Sequence, residues 1–104
     1  MQATHFSTIL LQQLGGSRFE AMTGARDFVY DDEARTLTFR VMRNERKVTH
    51  VRITVEPSDT YRVEFLRVVT RGGYRVDTLR DDAGVFVDSL RHVFERGTGL
   101  YVSL

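Results

Sequence analysis

The sequence predicts an α+β domain in which an antiparallel sheet of four to five strands forms a meander, with an N-terminal and a C-terminal helix packed on one face. Apolar and polar residues alternate between residues 35 and 80, turn-forming segments interrupt the alternation, and a helical apolar pattern lies on either side of it. Helices that flank an antiparallel sheet in sequence favour one common face. We treat the 104 residues as a single domain, 1–104, which is long enough to bury a core without metals or disulfides.

The alternating stretch has the period of two that is typical of strands with one buried face. In the first strand, for example, Phe39 points to one side of the sheet and Arg40 to the other. After Phe65 the alternation slips, which either a β-bulge near Leu66 or a strand buried on both faces would explain. The predicted strands are Thr36–Met42, Val48–Glu56, Tyr61–Val69 and Tyr74–Arg80, with a short fifth one at Asp27–Tyr30.

Residues typical of turns separate the predicted strands. Asn44–Lys47 makes the first connection, and Glu56–Asp59 makes the second with Pro57 at the position that a type I turn prefers. The glycine pair at 72–73 favours a tight two-residue hairpin, because both residues accept positive φ. The acidic run Asp31–Glu33 is interpreted as a solvated turn, since it lacks the alternating carboxylates and the glycine of a calcium loop.

Two helical segments precede the strands. The first is predicted over Thr4–Leu14, with Thr4 as its N-cap and Gly15 just beyond its end. A shorter one is predicted over Arg18–Thr23, because Ser17 followed by a glutamate three residues later fits a capping box. The apolar stripe of the first helix consists of Phe6, Ile9, Leu10 and Leu14.

The C-terminal helix is predicted over Val85–Arg96. Asp81 or Asp82 would cap its positive end, and Gly97 and Gly99 would stop it. Its buried stripe is predicted to consist of Phe86, Leu90, Val93 and Phe94. The core of the whole domain is predicted to include Leu10, Leu14, Phe39, Ile53, Phe65, Leu90 and Phe94.

The sequence contains no set of residues that is specific for catalysis. It has no cysteine, and its three histidines, His5, His50 and His92, do not have metal-ligand spacing. No nucleophile motif and no phosphate loop are found, so we expect no enzymatic activity, no metal and no cofactor. A ribonuclease that uses His5 with His50 is the enzymatic alternative. No apolar stretch approaches the length of a membrane span, and no signal peptide is recognised, so we expect no membrane partner.

Charge is divided unevenly along the chain. Residues 35–80 carry eleven cations and five carboxylates, while the rest of the chain carries four cations and nine carboxylates. The formal net charge of +1 is therefore the sum of +6 in this segment and −5 outside it. Arginine forks suit carboxylate and phosphate partners. We therefore consider three interpretations of the cationic sheet: a solvated surface, a surface for an acidic protein, and a nucleic-acid surface. The candidate partner-binding residues are Arg40, Arg52, Arg62, Arg75, Arg43 and Lys47.

Several short segments carry a resemblance to a known group of proteins. They are Leu10–Gly16, Phe19, Met22–Ala25, Asp59–Tyr61, Phe94 and Thr98–Tyr101. In these segments the chain resembles small proteins of bacteriophages and other mobile elements, a group with no assigned activity. The resemblance implies an accessory role in the cytoplasm of a bacterial host. It leads us to expect a protein that binds and modulates a host or defence complex with an acidic surface, for example an anti-CRISPR-like inhibitor. The alternative is an accessory protein that binds nucleic acid through the arginine-rich sheet face.

Overall fold

A computed structural model describes residues 5–101 of the chain. Over this range the chain forms three helices and five strands. Their bounds are α1 His5–Leu14, α2 Gly16–Thr23, β1 Arg26–Asp31, β2 Thr36–Arg40, β3 His50–Val55, β4 Tyr61–Val69, β5 Arg75–Val85 and α3 Val87–Thr98. The predicted cap Thr4, the side chain of Phe6 and residues 102–104 lie outside the part that can be described.

The five strands form one antiparallel sheet in the order β1-β2-β3-β4-β5, which confirms the predicted α+β meander. Each strand pairs with the next one along the chain, so successive turns lie at opposite ends of the sheet. The connections β1–β2 and β3–β4 therefore share one end, and the connections β2–β3 and β4–β5 share the other. This arrangement decides where the charged turns of the chain meet.

The helices cover one face of the sheet, and the core lies between them. Its aromatic centre is Phe19 of α2, whose ring centroid lies 5.6 Å from that of Phe39 and 5.0 Å from that of Phe94. All seven residues predicted for the core are fully buried. Phe19 was missing from that prediction, because its helix is too short to show an apolar stripe.

The start of α2 differs from the prediction. Ser17 lies inside the helix, and the N-cap is Gly15, which has a φ of 132° and makes no side-chain cap. The amide of Gly15 donates to the carbonyls of Leu11 and Gln12, both at 3.1 Å. Only this glycine separates α1 from α2, which leaves no room for the extended residue that a serine cap needs. The helix ends at Thr23 as predicted, and Gly24 follows it as a C-cap in the left-handed conformation.

The predicted cap of the C-terminal helix is also wrong. Asp81 and Asp82 belong to β5, which runs on to Val85, and the residue at the N-cap of α3 is Phe86. The predicted place of Phe86 in the buried stripe is wrong as well, because its side chain is 68% exposed. Arg62 of β4 bonds to Asp81 across the β4–β5 pair, and Arg80 of β5 bonds to Asp82 of the same strand.

The slip of the alternation after Phe65 comes from the neighbouring strand. β4 keeps its phase, whereas β5 has an extra residue, Leu79, between the partners of Phe65 and Leu66. Leu66 is 4% exposed but lies outside the core cluster, on the opposite face from Phe65. β4 is thus buried on both faces at this point, and the predicted irregularity is a bulge of β5.

Two glycine-containing connections differ from their predicted forms. The glycines at 72–73 have positive φ, but the last strand pair is Val69 with Arg75, so the hairpin connection is five residues long. Gly97 does not stop α3. It lies buried within the helix, where an added Cβ would overlap the ring of Phe65, so glycine is required for the close approach of helix and sheet. Gly99 is the left-handed C-cap. No helix within residues 5–101 is long and apolar enough to cross a membrane.

Candidate functional site

The face of the sheet that is not covered by helices, here called the open face, carries three of the predicted arginines. Arg40, Arg52 and Arg62 alternate with core residues of their own strands and lie on this face. Arg52 faces Glu64 across the β3–β4 pair. Its Nε donates to Glu64 Oε1 at 3.0 Å and its Nη2 donates to Glu64 Oε2 at 2.8 Å. This two-pronged contact raises the pKa of Arg52 and occupies the fork that a ligand would use.

Arg62 is engaged in the same way by the edge strand. Its Nε donates to Asp81 Oδ1 at 3.0 Å, and a second bond joins its Nη2 to the other carboxylate oxygen. The hydrogen bond from Arg62 holds the pKa of the Asp81 carboxyl below its usual value. Arg40 has a looser contact, with 3.8 Å between its Nη1 and Asp27 Oδ2. The predicted arginines of the open face are therefore largely neutralised by carboxylates of neighbouring strands.

Arg75 does not share the open face with the other three arginines. It pairs with Val69, which is in phase with Phe65, so it lies on the side of the sheet that carries the helices. The extra residue Leu79 separates this part of β5 from the part with opposite phase. Arg75 contacts Asp77 of its own strand, with 3.2 Å between Nε and Oδ2.

The meander gathers the charged turns at two opposite ends. Residues 41–49 and 67–77 carry six cations and two carboxylates, a formal charge of +4. Residues 31–35 and 56–60, at the other end, carry five carboxylates and one arginine, a formal charge of −4. We call residues 41–49 and 67–77 the basic end. The turns of the meander thus separate positive from negative charge along the strand direction.

At the basic end three cations line a cleft of about 360 Å³, here called the basic cleft. They are Arg43 and Lys47 from the β2–β3 connection and Arg67 from β4. The other lining residues are Asn44, Val48 and Thr49, so no carboxylate faces these cations within the cleft. Among residues 5–101 no ion pair or side-chain hydrogen bond engages the three cationic groups.

The loop that presents these cations is held by Asn44. Its Nδ2 donates to the carbonyls of Met42 and Val48 at 2.9 and 2.8 Å, and its Oδ1 accepts from the amide of Val48 at 3.1 Å. Lys47 adopts a left-handed φ of 62° and its amide bonds to the Asn44 carbonyl. These bonds replace a strand ladder, which explains why β2 and β3 are shorter than predicted. They fix the backbone that carries Arg43 and Lys47 before any ligand arrives, which lowers the entropic cost of binding.

His50 and Thr49 link β3 to β4 beside the cleft. The Thr49 hydroxyl lies 2.8 Å from His50 Nδ1 and accepts from the amide of Val68 at 2.8 Å. Burial and the charge of Arg40 lower the pKa of His50, and Asp27 partly opposes them. His50 therefore serves as a neutral brace at neutral pH. His92 lies exposed on α3, and the side chain of His5 lies outside the described part. Residues 5–101 contain no group of three His, Cys, Asp or Glu side chains arranged around a common point.

Arg67 was not among the predicted partner-binding residues, although the sequence contains a signal for it. It is the one arginine of β4 in phase with the core residues Val63 and Phe65. An arginine at a position of that phase is exposed only if the helices end before it. The clustering of Arg67 with Arg43 and Lys47 depends on the path of the β2–β3 loop, which no sequence period indicates.

Comparison with protein-family models, curated proteins and solved structures finds no match for this chain. The segments that carry the phage-protein resemblance lie largely in the interior of the fold. Leu10, Phe19 and Phe94 are fully buried, and the Tyr61 hydroxyl donates to Gln13 Oε1 at 3.0 Å. These segments therefore concern how the chain folds, and the basic cleft lies outside them.

Proposed function

We propose that this chain is a non-enzymatic accessory protein that binds an acidic surface of another protein through its basic end. The observation that carries the proposal is the basic cleft, where Arg43, Lys47 and Arg67 converge without a carboxylate among the lining residues. Cations that lack internal partners attract a complementary anionic surface, and a braced loop lowers the conformational entropy that binding costs. The phage-protein resemblance supports the rest of the proposal, in which the partner is a host or defence complex in the bacterial cytoplasm and the effect is inhibition of the anti-CRISPR kind.

A protein partner fits the charges better than a nucleic acid does. A nucleic acid presents phosphates over a long stretch, and proteins that bind it through the backbone usually carry a large positive excess. Here the formal net charge is +1, and the opposite end of the sheet, with residues 31–35 and 56–60, would repel any polyanion long enough to reach it. The two arginines that would widen the surface, Arg52 and Arg62, are bound to Glu64 and Asp81. A compact acidic patch on a protein can bind to the basic end alone.

The proposal is tested by affinity capture from lysate of a bacterial host with tagged protein. One variant reverses the three cations of the basic cleft as Arg43→Glu, Lys47→Glu and Arg67→Glu. The matched control reverses three exposed cations elsewhere as Arg18→Glu, Arg26→Glu and Arg91→Glu, so that both variants have the same net charge. Circular dichroism and thermal unfolding verify the fold of each.

We expect wild type and control to retain a partner with an acidic surface and the basic-cleft variant to lose it, because attraction becomes repulsion there. Equal capture by all three proteins would contradict the proposal. Nucleic acid is the second candidate, favoured by the same unpaired cations. A binding series on DNA and RNA in increasing salt tests it, since phosphate contacts give a steep loss of affinity.

A further inference from the structure

The basic cleft is one end of a longer groove. It shares Val48 as a wall with a second cleft of about 290 Å³, which Arg46, Leu79 and Gly97 also line. That second cleft in turn shares Arg46 and Arg80 with a third one of about 380 Å³. The three clefts therefore adjoin one another in a row from the β2–β3 loop and β5 to the C-terminal part of α3, and we call this row the groove. Arg46 lies at the middle of the groove and lines two of the three clefts.

The chemistry of the walls changes along this groove. At the basic cleft the charged lining is purely cationic. In the middle, Val48 and the half-exposed Leu79 provide apolar wall beside Arg46 and Arg80, and Gly97 contributes no side chain. At the far end two carboxylates, Glu45 and Glu95, join the lining. The groove thus carries cations along its whole length, has apolar wall in its middle and has carboxylates only at the far end, where Arg96 accompanies them.

We propose that this groove seats an extended segment of the acidic partner, and this inference rests on the proposed function. Carboxylates of the segment lie over the basic cleft, an apolar side chain lies against Leu79, and a neutral or basic residue lies over Glu45. Each cleft has a volume near the lower limit of small-molecule sites, so each accommodates one or two side chains. A segment that places successive side chains in three adjoining clefts is extended.

A single strand of nucleic acid fits the same groove less well. Its phosphates repeat a negative charge at every nucleotide, so a strand along the groove would meet the carboxylate of Glu45 at the far end. Binding of single strands also draws on several aromatic rings for base stacking. Tyr101 is the one aromatic residue among those that line the three clefts. A polypeptide can change its charge from residue to residue and can match the groove.

Fluorescence anisotropy with defined probes tests the inference on the full-length chain. The first probe is a labelled peptide with a glutamate-rich part, a central leucine and a terminal lysine. The second is a peptide of the same length made of glutamate with the same leucine and no lysine. The third is labelled oligo-dT of similar length. The variant is Arg46→Glu at the middle of the groove, and the control is Arg91→Glu, which makes the same charge change at an exposed position of α3 outside the groove.

We expect wild type to bind the first peptide most tightly and Arg46→Glu to bind it at least about tenfold more weakly, while Arg91→Glu stays within about twofold of wild type. Tighter binding of oligo-dT than of both peptides, or equal effects of the two substitutions, would overturn the inference. A third variant, Glu45→Gln, sharpens the test. It should weaken binding of the lysine-containing peptide and strengthen binding of the all-glutamate one, and equal changes for both peptides would contradict the assigned orientation.

Affinity capture separates failure of this inference from failure of the proposed function. If Arg46→Glu retains the captured partner while reversal of the basic cleft loses it, the proposed function stands and the groove is not the seat of the segment. If reversal of the basic cleft leaves capture unchanged, the proposed function itself is overturned.

Discussion

The open face and the basic end are both rich in arginine, yet their arginines differ in what they contact. On the open face Arg52 and Arg62 each make a two-pronged contact with a carboxylate of the next strand. At the basic end Arg43 and Arg67 line a cleft without such a partner. Strand register brings opposite charges together in the first region, and the ends of the meander collect like charges in the second. Whether an arginine has a structural role or is available to a ligand thus depends on where it lies in the sheet.

Substitution of Phe94, a core residue that supports both regions, should have the largest effect on the free energy of unfolding. Phe94 is fully buried between Phe19 and Phe39 and fixes α3 on the sheet. Phe94→Ala should lower the free energy of unfolding by about 3–5 kcal/mol, because a large side chain leaves a cavity. Chemical denaturation measures this loss. A variant as stable as wild type would show that α3 does not anchor the structure as described.

Removal of one open-face arginine should have a smaller effect that is confined to stability. Glu64 is only 12% exposed at its side chain, so Arg52→Met leaves a carboxylate without its main partner. We expect a loss of about 1 kcal/mol in the free energy of unfolding. Arg62→Met is the comparison, with a smaller loss expected since its pair with Asp81 is more exposed. A greater loss for Arg62→Met in urea denaturation would reverse our assignment of the structural pair.

His50, which braces β3 against β4 beside the basic cleft, should make the free energy of unfolding depend on pH. The pKa of His50 is lowered from its ordinary value of 6.5 by burial and by Arg40, so the folded state favours the neutral ring. Its contribution is complete above pH 6.5 and is lost as pH falls below this value, because the unfolded state then binds more protons. Denaturation of wild type and His50→Gln across this range measures the difference. A wild type that gains stability relative to the variant on acidification would have the opposite sign.

The cations of the basic end should contribute least to stability. Arg43→Met and Lys47→Met remove exposed groups that have no internal partner, so each should change the free energy of unfolding by less than about 0.5 kcal/mol. Asn44→Ala serves as the contrast, because it removes three hydrogen bonds that hold the loop and should cost more. Losses at Arg43 and Lys47 as large as that at Asn44 would show that these cations are structural.

The sequence was sufficient for the class of the fold but not for all of its boundaries. Period-two alternation predicts which residues of β2, β3 and β4 are buried, because the pleat imposes it locally. It could not predict that Asp81 and Asp82 belong to β5, since two adjacent aspartates before an apolar run also suit a helix cap. The place of Asp81 depends on Arg62, which reaches it only after β4 and β5 have paired, whereas Asp82 contacts Arg80 of its own strand.

The candidate site was predicted in part. The alternation placed Arg40, Arg52 and Arg62 on the correct face, but it could not assign the carboxylates that bind Arg52 and Arg62, because such pairs depend on strand register. Arg43 and Lys47 were among the predicted residues, and the structure adds Arg67 beside them. The cleft itself arises where an irregular loop braced by its own side chains packs near β4, and loop paths of this kind leave no periodic trace in a sequence.

The most direct test of the central claim compares two variants that each lose two positive charges. One is Arg52→Met with Arg62→Met on the open face, and the other is Arg43→Met with Lys47→Met at the basic end. Their affinities for the first peptide probe, which has a glutamate-rich part, a central leucine and a terminal lysine, are measured by fluorescence anisotropy at fixed ionic strength. The account predicts that the open-face variant binds within about twofold of wild type and that the basic-end variant binds at least about tenfold more weakly. Equal losses in both variants would contradict it, because only the total charge would then matter.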